Sequence, residues 1–425
     1  MSAELRQAGK RKILMTALLP GLAVYLLLIS AQFLAAEFSG MPRPGALQWA
    51  TRLDPLNAGY ADKRGAYELR VQQSPATALH WFRKATALNP NRAGYWLDRA
   101  VAESALGDAV GQRESMLQVA KSEPHSAGLA WELGNLYLLL GDTESALHEY
   151  RAVMQNNPPL APQAIAMCWK SRPDVNFLLQ NVVPENANED FLSFLMTRNQ
   201  AEAAAAVWDR IASMQQPVDR PFLFDYIRYL LANRQPVEAA RAWQQAGSLS
   251  SLEAYQPSEE NLVVNGDFSL EILNGGFDWQ YHKSPLVTLA LDPIDSHSGT
   301  RSLRIFFEGP GITDAGIRQN ILVDPGTQYA FSAYYKSQDM DGAGGPRFAI
   351  QDLYDQTAIF MSDDLRQTDL WTPVEGTFTT GPDTHMVVLR IARVPEGSPI
   401  RGKLWIDDLK LVTAEHMAST KKEQP

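Results

Sequence analysis

The hydrophobic pattern of the chain begins with an uninterrupted apolar run. Residues 13–36 comprise 24 positions without a charged side chain. As a helix that rises about 1.5 Å per residue, this run would be about 36 Å long, which is enough to cross a hydrocarbon core of about 30 Å with some tilt. The pattern therefore predicts a transmembrane helix over 13–36, preceded by a cytoplasmic basic segment over 1–12.

The residues around this run predict its orientation. Glu37 follows it, and four basic residues stand just before it: Arg6, Lys10, Arg11 and Lys12. Because positive charge is retained on the cytoplasmic side of a membrane, we expect a single-pass protein of the bacterial inner membrane with a cytoplasmic N-terminus and a periplasmic or extracellular bulk. A cleaved signal peptide is the alternative. Its apolar region is usually about 7–15 residues long and ends in small residues, whereas this run is longer and ends in Phe-Leu-Ala-Ala.

The pattern from 44 to 250 is helical, and it repeats. Pro90, Pro124 and Pro158 are 34 residues apart, and Pro55 lies 35 residues before Pro90. Similar turns surround three of these prolines: Leu-Asp-Pro-Leu-Asn-Ala-Gly-Tyr, Leu-Asn-Pro-Asn-Arg-Ala-Gly-Tyr and Ser-Glu-Pro-His-Ser-Ala-Gly-Leu. Between the prolines, the spacing of apolar residues predicts two helices per repeat.

Small and large side chains recur at fixed places in these repeats. In 127–160 they are Leu133, Gly134, Tyr137, Ala146, Tyr150 and Pro158, and in 59–92 they are Ala78, Phe82, Ala85 and Pro90. This pattern resembles the tetratricopeptide repeat. The resemblance implies a helical-hairpin solenoid of five or six units over 44–250, with a concave surface for a protein partner. We expect its last two hairpins at 191–214 and 222–246, where the period is looser.

The period changes near residue 260. We expect a linker over 251–260, and beyond it the apolar positions alternate between turns rich in Gly, Asp and Pro. Nine segments show this alternation: 261–264, 288–291, 301–307, 317–323, 328–336, 347–353, 374–380, 386–393 and 403–413. Such a series predicts an all-β antiparallel sandwich over 261–413. The last residues, 414–425, are expected to form a disordered tail.

Short motifs follow one another in this second region. They are Leu-Val-Val-Asn-Gly-Asp-Phe at 262–268, Gly-Phe-Asp-Trp at 276–279, Ser-Gly-Thr-Arg-Ser-Leu at 298–303, Val-Asp-Pro-Gly-Thr-Gln-Tyr at 323–329 and Leu-Trp-Ile-Asp-Asp-Leu-Lys-Leu at 404–411. In this order they resemble the jelly-roll carbohydrate-binding modules and their galactose-binding-like relatives. The resemblance implies a jelly-roll fold, but it does not identify the ligand, because this fold binds many ligands.

The same resemblance implies a structural Ca²⁺ ion near the joined ends of the domain. Relatives hold the ion with the residue after the opening Asp-Phe, with the Ser-Gly loop and with an Asp of the closing strand, since Ca²⁺ takes six to eight oxygen ligands. The matching positions are Ser269, His297, Thr300 and Asp407. Many relatives carry an acidic residue where this chain has Ser269.

Glycan binding would use another set of residues. Sugar rings lie on flat aromatic side chains, and amides or carboxylates bind their hydroxyl groups. The candidates are Trp279, Tyr281, Gln319, Gln351, Tyr354 and Trp371. Trp279 and Trp371 fit a role in the sandwich core better, whereas Tyr281 and Tyr354 are expected to be exposed.

Composition narrows the partners. The net charge of −10 argues against nucleic acid as the main partner. A single cysteine, Cys168, excludes an internal disulfide framework and a Cys-rich zinc site. The charge is also uneven, with +3 over 1–36, −5 over 37–260 and −8 over 261–413.

Catalytic motifs are not evident. The seven His are scattered, and the adjacent aspartates at 363–364 and 407–408 would point to opposite faces of a strand. We therefore expect a non-catalytic cell-envelope scaffold that binds a protein through its repeats and a glycan through its jelly roll. Such a combination suits machinery that makes or exports an extracellular polysaccharide. Two alternatives are a protein-binding module whose jelly roll is purely structural and an unrecognised glycan hydrolase.

Overall fold

The computed structural model describes residues 2–41, 45–366 and 368–416, with side chains from residue 19 onward. These residues form two compact units, which meet in the sequence between Phe194 and Leu195. The division thus falls inside the first helix of the predicted hairpin at 191–214 and not at the expected linker over 251–260. Residues 414–416 are helical, and the remainder of the expected tail lies outside the described residues.

The first unit begins with a long helix, α1 (Ser2–Gly40). Its segment Leu19–Gly40 has a mean hydropathy of 1.9 and is long enough to cross a membrane. The apolar part of this segment is almost entirely exposed, with 6% buried. A signal sequence near an N-terminus can also form such an apolar helix. The helix contains the predicted 13–36 segment.

The rest of the first unit is a series of shorter helices. They are α2 (Ala46–Leu53), α3 (Ala58–Arg70), α4 (Pro75–Leu88), α5 (Ala93–Ala105), α6 (Ala109–Ser122), α7 (Ala127–Leu139), α8 (Thr143–Asn156), α9 (Ala161–Ser171), α10 (Val175–Asn181) and α11 (Asn188–Thr197). Helix α11 runs across the boundary of the two units. Helices α3/α4, α5/α6 and α7/α8 are the hairpins that the period predicts, whereas α2, α9 and α10 were not predicted.

Two of the hairpin turns are built alike. Gly107 and Gly141 both have φ +73, a conformation that glycine adopts readily. The next residue caps the following helix: Asp108 accepts a hydrogen bond from the Gly111 N–H at 3.0 Å, and Asp142 accepts one from the Ser145 N–H at 3.1 Å. The 34-residue period is therefore also a period of turn chemistry.

Close packing within the hairpins requires small residues opposite large ones. A β-carbon on Gly65 of α3 would lie 2.6 Å from the ring of Phe82 on α4, and one on Gly134 of α7 would lie 2.9 Å from the ring of Tyr150 on α8. Both rings are fully buried. The glycines let the two helices approach until these rings fill the space between them.

The second unit begins with helices α12 (Ala201–Ser213), α13 (Arg220–Ala232) and α14 (Pro236–Leu249). With α11 they match the predicted hairpins at 191–214 and 222–246. Trp208 of α12 stacks on Tyr226 of α13 at 5.0 Å, and its indole N–H donates to Gln245 Oε1 of α14 at 2.8 Å. These contacts fix the three helices to one another.

An antiparallel β-sandwich follows these helices. Its strands are β1 (Gln280–Tyr281), β2 (Val287–Asp292), β3 (Ser302–Gly309), β4 (Asp314–Leu322), β5 (Gln328–Gly342), β6 (Pro346–Asp352), β7 (Ala358–Met361), β8 (Thr372–Thr379), β9 (Met386–Arg393) and β10 (Ile400–Thr413). Sheet I has the order β1-β4-β9-β6-β7, and sheet II has the order β2-β3-β10-β5-β8. Both sheets contribute to one core, where the rings of Phe331 and Phe348 meet at 5.4 Å.

Most of the predicted strands are present, and one is wrong. Residues 261–264 form no strand. Instead, Leu262 N–H donates to the Leu411 carbonyl at 2.9 Å, and the backbone of Val264 bonds to the Gln319 side chain. The short strands β1 and β7 were not predicted.

Candidate functional site

Sheet I has an outer face with polar side chains. Ile317 and Ile321 of β4 lie in the core, so Arg318 and Asn320 of the same strand point outward. Arg318 lies opposite Gln280 on β1 and opposite Arg390 on β9. One row of polar side chains therefore crosses three strands.

Two aspartates balance part of the positive charge on this face. Arg390 Nη1 lies 3.3 Å from Asp314 Oδ2. Arg347 and Arg366 both pair with Asp364, at 2.5 Å and 3.6 Å. Arg318 is exposed and has no ion-pair partner in the part of the chain that the structure describes. Its charge is therefore available to a ligand.

A cavity of about 380 Å³ lies between helix α13 and this face. We call it the arginine cleft. Fourteen residues line it: Phe224, Ile227, Arg228, Leu231, Ala232, Arg234, Asn274, Gly275, Gly276, Gln280, Arg318, Asn320, Leu353 and Tyr354. Three of the fourteen are arginines, and none of the fourteen is acidic. A second cavity of about 260 Å³ shares Asn274, Gln280 and Arg318 with it, so the two cavities adjoin.

Local turns hold the side chains of the cleft in place. Asp352 Oδ1 accepts hydrogen bonds from the N–H groups of Tyr354 at 2.7 Å and Asp355 at 3.1 Å, which fixes the turn after β6. Arg234 follows the end of α13 with φ +56, and its guanidinium lies 5.3 Å from the ring centre of Tyr354. Asn274 Oδ1 accepts from Tyr281 N–H at 2.8 Å.

Two polar atoms of the cleft have no hydrogen-bond partner among the described residues. They are Asn320 Oδ1 and Tyr354 Oη, and both atoms are buried. Asn320 as a whole is only 6% exposed. Burial raises the pKa of Tyr354, while Arg234 opposes this change, so its hydroxyl stays a hydrogen-bond donor. Buried polar groups are normally bonded, and these two atoms are therefore positioned to bind a polar ligand.

Two of the residues predicted to bind a glycan lie inside the sandwich, which corrects the prediction. Trp279 is 1% exposed, stacks on Phe268 at 5.3 Å and donates its indole N–H to the Asn265 carbonyl at 3.0 Å. Gln319 is fully buried and bonds to Val264 through both its oxygen and its nitrogen, at 3.0 Å and 2.7 Å. Neither side chain can contact a sugar, because both fill the core.

The other predicted residues fall in two places. Tyr354 lines the arginine cleft, and Tyr281 lines the adjoining cavity. Gln351 lies on β6 of the same sheet, opposite Val388 of β9. Trp371 lies beside β8 of sheet II, where its ring meets that of His297 at 5.9 Å. The structure thus places Tyr281 and Tyr354 at adjoining cavities, Gln351 on the same sheet but in neither cavity lining, and Trp371 beside the other sheet.

The predicted calcium ligands do come together, but their oxygens are largely engaged. Asp407 Oδ2 accepts hydrogen bonds from the N–H groups of His297 at 2.7 Å and Ser298 at 2.9 Å, and Oδ1 accepts one from Asp408 N–H at 2.7 Å. The Ser269 hydroxyl donates to Asp267 at 2.8 Å and accepts a longer bond from Thr300 N–H at 3.3 Å. Among the described residues, no group of three or more acidic, His or Cys side chains could hold a metal. The three backbone N–H groups that bond to Asp407 disfavour a cation at its oxygens. Calcium binding stays a prediction from the resemblance.

The arginines of the cleft and Asn320 were not predicted as binding residues. The alternation of β4 contained a signal for two of them, because Ile317 and Ile321 inward require Arg318 and Asn320 outward. Arg228 and Arg234 carried no such signal, since a helix far away in the sequence brings them to the sheet.

A family of known proteins matches most of the β-sandwich. The family described as "Carbohydrate binding domain" matches residues 260–396, about a third of the chain. No curated protein matches the chain.

Solved structures with some similarity cover the two regions separately. One described as "CBM4 structure and function" is 18% identical, covers 36% of this chain and 99% of its own, and has a TM-score of 0.28. The xylan-binding CBM22-1 domain of Paenibacillus barcinonensis Xyn10C is 14% identical, with coverages of 35% and 91% and a TM-score of 0.25. The MamA protein is 15% identical, with coverages of 41% and 96% and a TM-score of 0.31. At these scores, the description of the fold rests on the elements given above.

Proposed function

We propose that the sandwich binds a glycan at the outer face of sheet I, within a membrane-anchored and non-catalytic scaffold of the cell envelope. One observation carries the glycan part: the arginine cleft brings the Tyr354 ring together with the unbonded buried oxygen of Asn320. An aromatic face with convergent polar groups is the usual composition of a sugar-binding site. The match to the carbohydrate-binding family over 260–396 supports the same function.

The remaining parts of the proposal concern anchoring and partners. Helix α1 would anchor the protein in a bacterial inner membrane with its basic end in the cytoplasm, because four basic residues precede the apolar run. The α3–α8 hairpins, with their tetratricopeptide-like spacing, would bind a protein partner. A glycan site and a protein-binding array on one anchored chain suit the assembly or export of an extracellular polysaccharide.

The adjacent aspartates at 363–364 and 407–408 do not favour the hydrolase alternative. Asp364 is paired with Arg347 and Arg366, and Asp407 is bonded to three backbone N–H groups. A glycosidase needs one carboxylic acid and one free carboxylate across a substrate. The carboxylates of Asp364 and Asp407 instead form ion pairs and hydrogen bonds within the protein.

Glycan binding can be tested with the full-length protein in detergent on a broad glycan array. We expect binding that is lost in Tyr354→Ala and Asn320→Ala but kept in Trp371→Ala, which removes a predicted aromatic from sheet II. Thermal unfolding of each variant shows whether it is folded. Failure of the folded wild-type protein to bind any glycan would overturn the proposed function, and loss of binding only in Trp371→Ala would move the site to sheet II.

A further inference from the structure

The arginine cleft is positively charged, although the surrounding chain is negatively charged. The two stretches that supply its arginines are both acidic: residues 37–260, with Arg228 and Arg234, carry a net charge of −5, and residues 261–413, with Arg318, carry −8. Against this background, three arginines and no acidic residue line the cleft. Arg228 is partly balanced by Asp225 at 2.9 Å, but within the described residues Arg318 and Arg234 have no ion-pair partner. The cleft is therefore a local positive site on an acidic domain.

The arginines come from two separate elements. Arg318 stands on β4 of sheet I, and Arg234 stands at the end of α13. Contact with the Tyr354 ring orients the Arg234 guanidinium. A planar guanidinium binds a carboxylate through two parallel hydrogen bonds, which makes arginine well suited to recognise this group. Two unpaired guanidinium groups in one cavity thus favour an anionic ligand.

Neutral polar groups of the same cavity fit the remainder of a sugar. Asn320 Oδ1 can accept a hydrogen bond from a hydroxyl group, and Tyr354 Oη can donate one, because neither atom has another partner among the described residues. Asn274 and Gln280 also line both adjoining cavities. With about 380 Å³ in the first cavity, the site has room for one or two sugar rings.

We propose that the arginine cleft binds an acidic saccharide, a glycan whose sugars carry carboxylates, with Arg318 and Arg234 as the anion-binding residues. This inference rests on the proposed glycan binding and names the class of glycan. Arg318 lines both cavities, whereas the second cavity is also lined by Asp314, which pairs with Arg390, so the arginine cleft is the place for the carboxylate.

The test is titration calorimetry of the full-length protein in detergent with hexasaccharides of glucuronate, galacturonate and mannuronate. Each is compared with its carboxyl-reduced neutral form and with a sulfated neutral hexasaccharide. We expect at least one uronate to bind at least about tenfold more tightly than its reduced form, as loss of a charge-assisted pair implies. Binding should also weaken as the salt concentration rises.

Matched variants assign the effect to the cleft. Arg318→Gln and Arg234→Gln should each weaken uronate binding about tenfold, and each should weaken binding of the neutral form by a smaller factor. Arg401→Gln, an exposed arginine on β10 of sheet II, should have no effect. A tenfold loss in the first two variants alone supports the inference.

Other outcomes overturn the inference at different levels. Equal binding of uronate and reduced hexasaccharides would refute the acidic ligand while glycan binding stands. Tighter binding of the sulfated form would refute the carboxylate. Failure of every hexasaccharide, together with an unresponsive glycan array, would remove the proposed function itself.

Discussion

The ring of Trp243 on helix α14 lies directly against the backbone of Gly276 at the start of the sandwich. A β-carbon at Gly276 would overlap the ring, and this glycine has φ +61. The adjacent Phe277 ring lies 5.9 Å from the Trp243 ring, and the Trp243 indole N–H donates to the Tyr255 carbonyl at 2.9 Å. One glycine therefore permits the contact that joins the last helix to the sandwich.

Substitution of this glycine should destabilise the second unit. Gly276→Ala adds a side chain where Trp243 leaves no space, and it places a non-glycine residue at positive φ. Together these effects should lower the free energy of unfolding by about 3 kcal/mol. Denaturant unfolding of the full-length protein, followed by tryptophan fluorescence, measures the change.

Gly326→Ala is the matched control for this substitution. Gly326 has a similar φ of +63, but nothing lies within 4 Å of its added β-carbon. It should therefore lose only about 1 kcal/mol, the strain of the backbone alone. Equal losses in the two variants would contradict the packing argument.

Replacement of glycine by alanine in the helical hairpins should change the free energy of unfolding in opposite directions at Gly65 and Gly94. Gly65→Ala should destabilise the first unit by about 1–3 kcal/mol, because its β-carbon would lie 2.6 Å from the Phe82 ring. Gly94→Ala should stabilise it by about 0.5–1 kcal/mol, because Gly94 lies in helix α5 with nothing within 4 Å. Thermal unfolding followed by far-ultraviolet circular dichroism compares the two, and equal signs would contradict the prediction.

Much of the fold was predictable because its signals are local. The prolines at period 34 and the small residues opposite Phe82 and Tyr150 specify hairpins from within single repeats. The alternation of apolar residues likewise specifies most of the strands. The segment 261–264 has the same alternation but forms no strand, since the Gln319 side chain binds the Val264 backbone where a neighbouring strand would have bound it.

The candidate site was less predictable because it depends on distant contacts. Tyr281 and Tyr354 were predicted as exposed aromatic residues that could bind a sugar ring, and the structure places both beside the two adjoining cavities. Trp279 lies in the core, as the sequence favoured. Arg234 reaches the sheet only because α13 packs on the sandwich, which no local pattern encodes.

Asp407 should stabilise the loop that precedes β3 through its backbone hydrogen bonds. In Asp407→Asn, one acceptor oxygen becomes an N–H₂ group that faces donors, so at least one buried bond is lost and the free energy of unfolding should fall by about 1–3 kcal/mol. Asp408→Asn, which removes surface pairs with Lys410 and His297, should change it by about 0–1 kcal/mol. Thermal unfolding compares these variants with the wild-type protein.

The same experiment tests calcium. The three N–H groups around Asp407 predict that neither added CaCl₂ nor a chelator shifts the unfolding temperature of the wild-type protein. A rise with calcium that Asp407→Asn abolishes would instead support the ion that the sequence predicts.

Two carboxyl groups in the first unit should make its stability depend on pH. Burial, and then the nearby charge of Asp98, raises the pKa of Asp62 from 3.8 to about 7. Arg92 and Arg70 oppose this change, and the Arg70 guanidinium lies 3.8 Å from Asp98. Because the folded state holds this proton more tightly than the unfolded state, the resulting stability is present below about pH 4 and is lost as the pH rises to about 7.

Replacement of Asp62 with Asn should remove this dependence. The variant should resemble the wild-type protein near pH 4 and have a higher unfolding temperature at pH 8, since no charge is then forced into the buried pair. Asp383→Asn, an exposed aspartate of the second unit, should give a difference from wild type that does not change over this range. Unfolding temperatures of the three proteins from pH 4 to pH 8 measure the effect, and a difference for Asp62→Asn that stays constant with pH would show that the fold does not raise the pKa of Asp62.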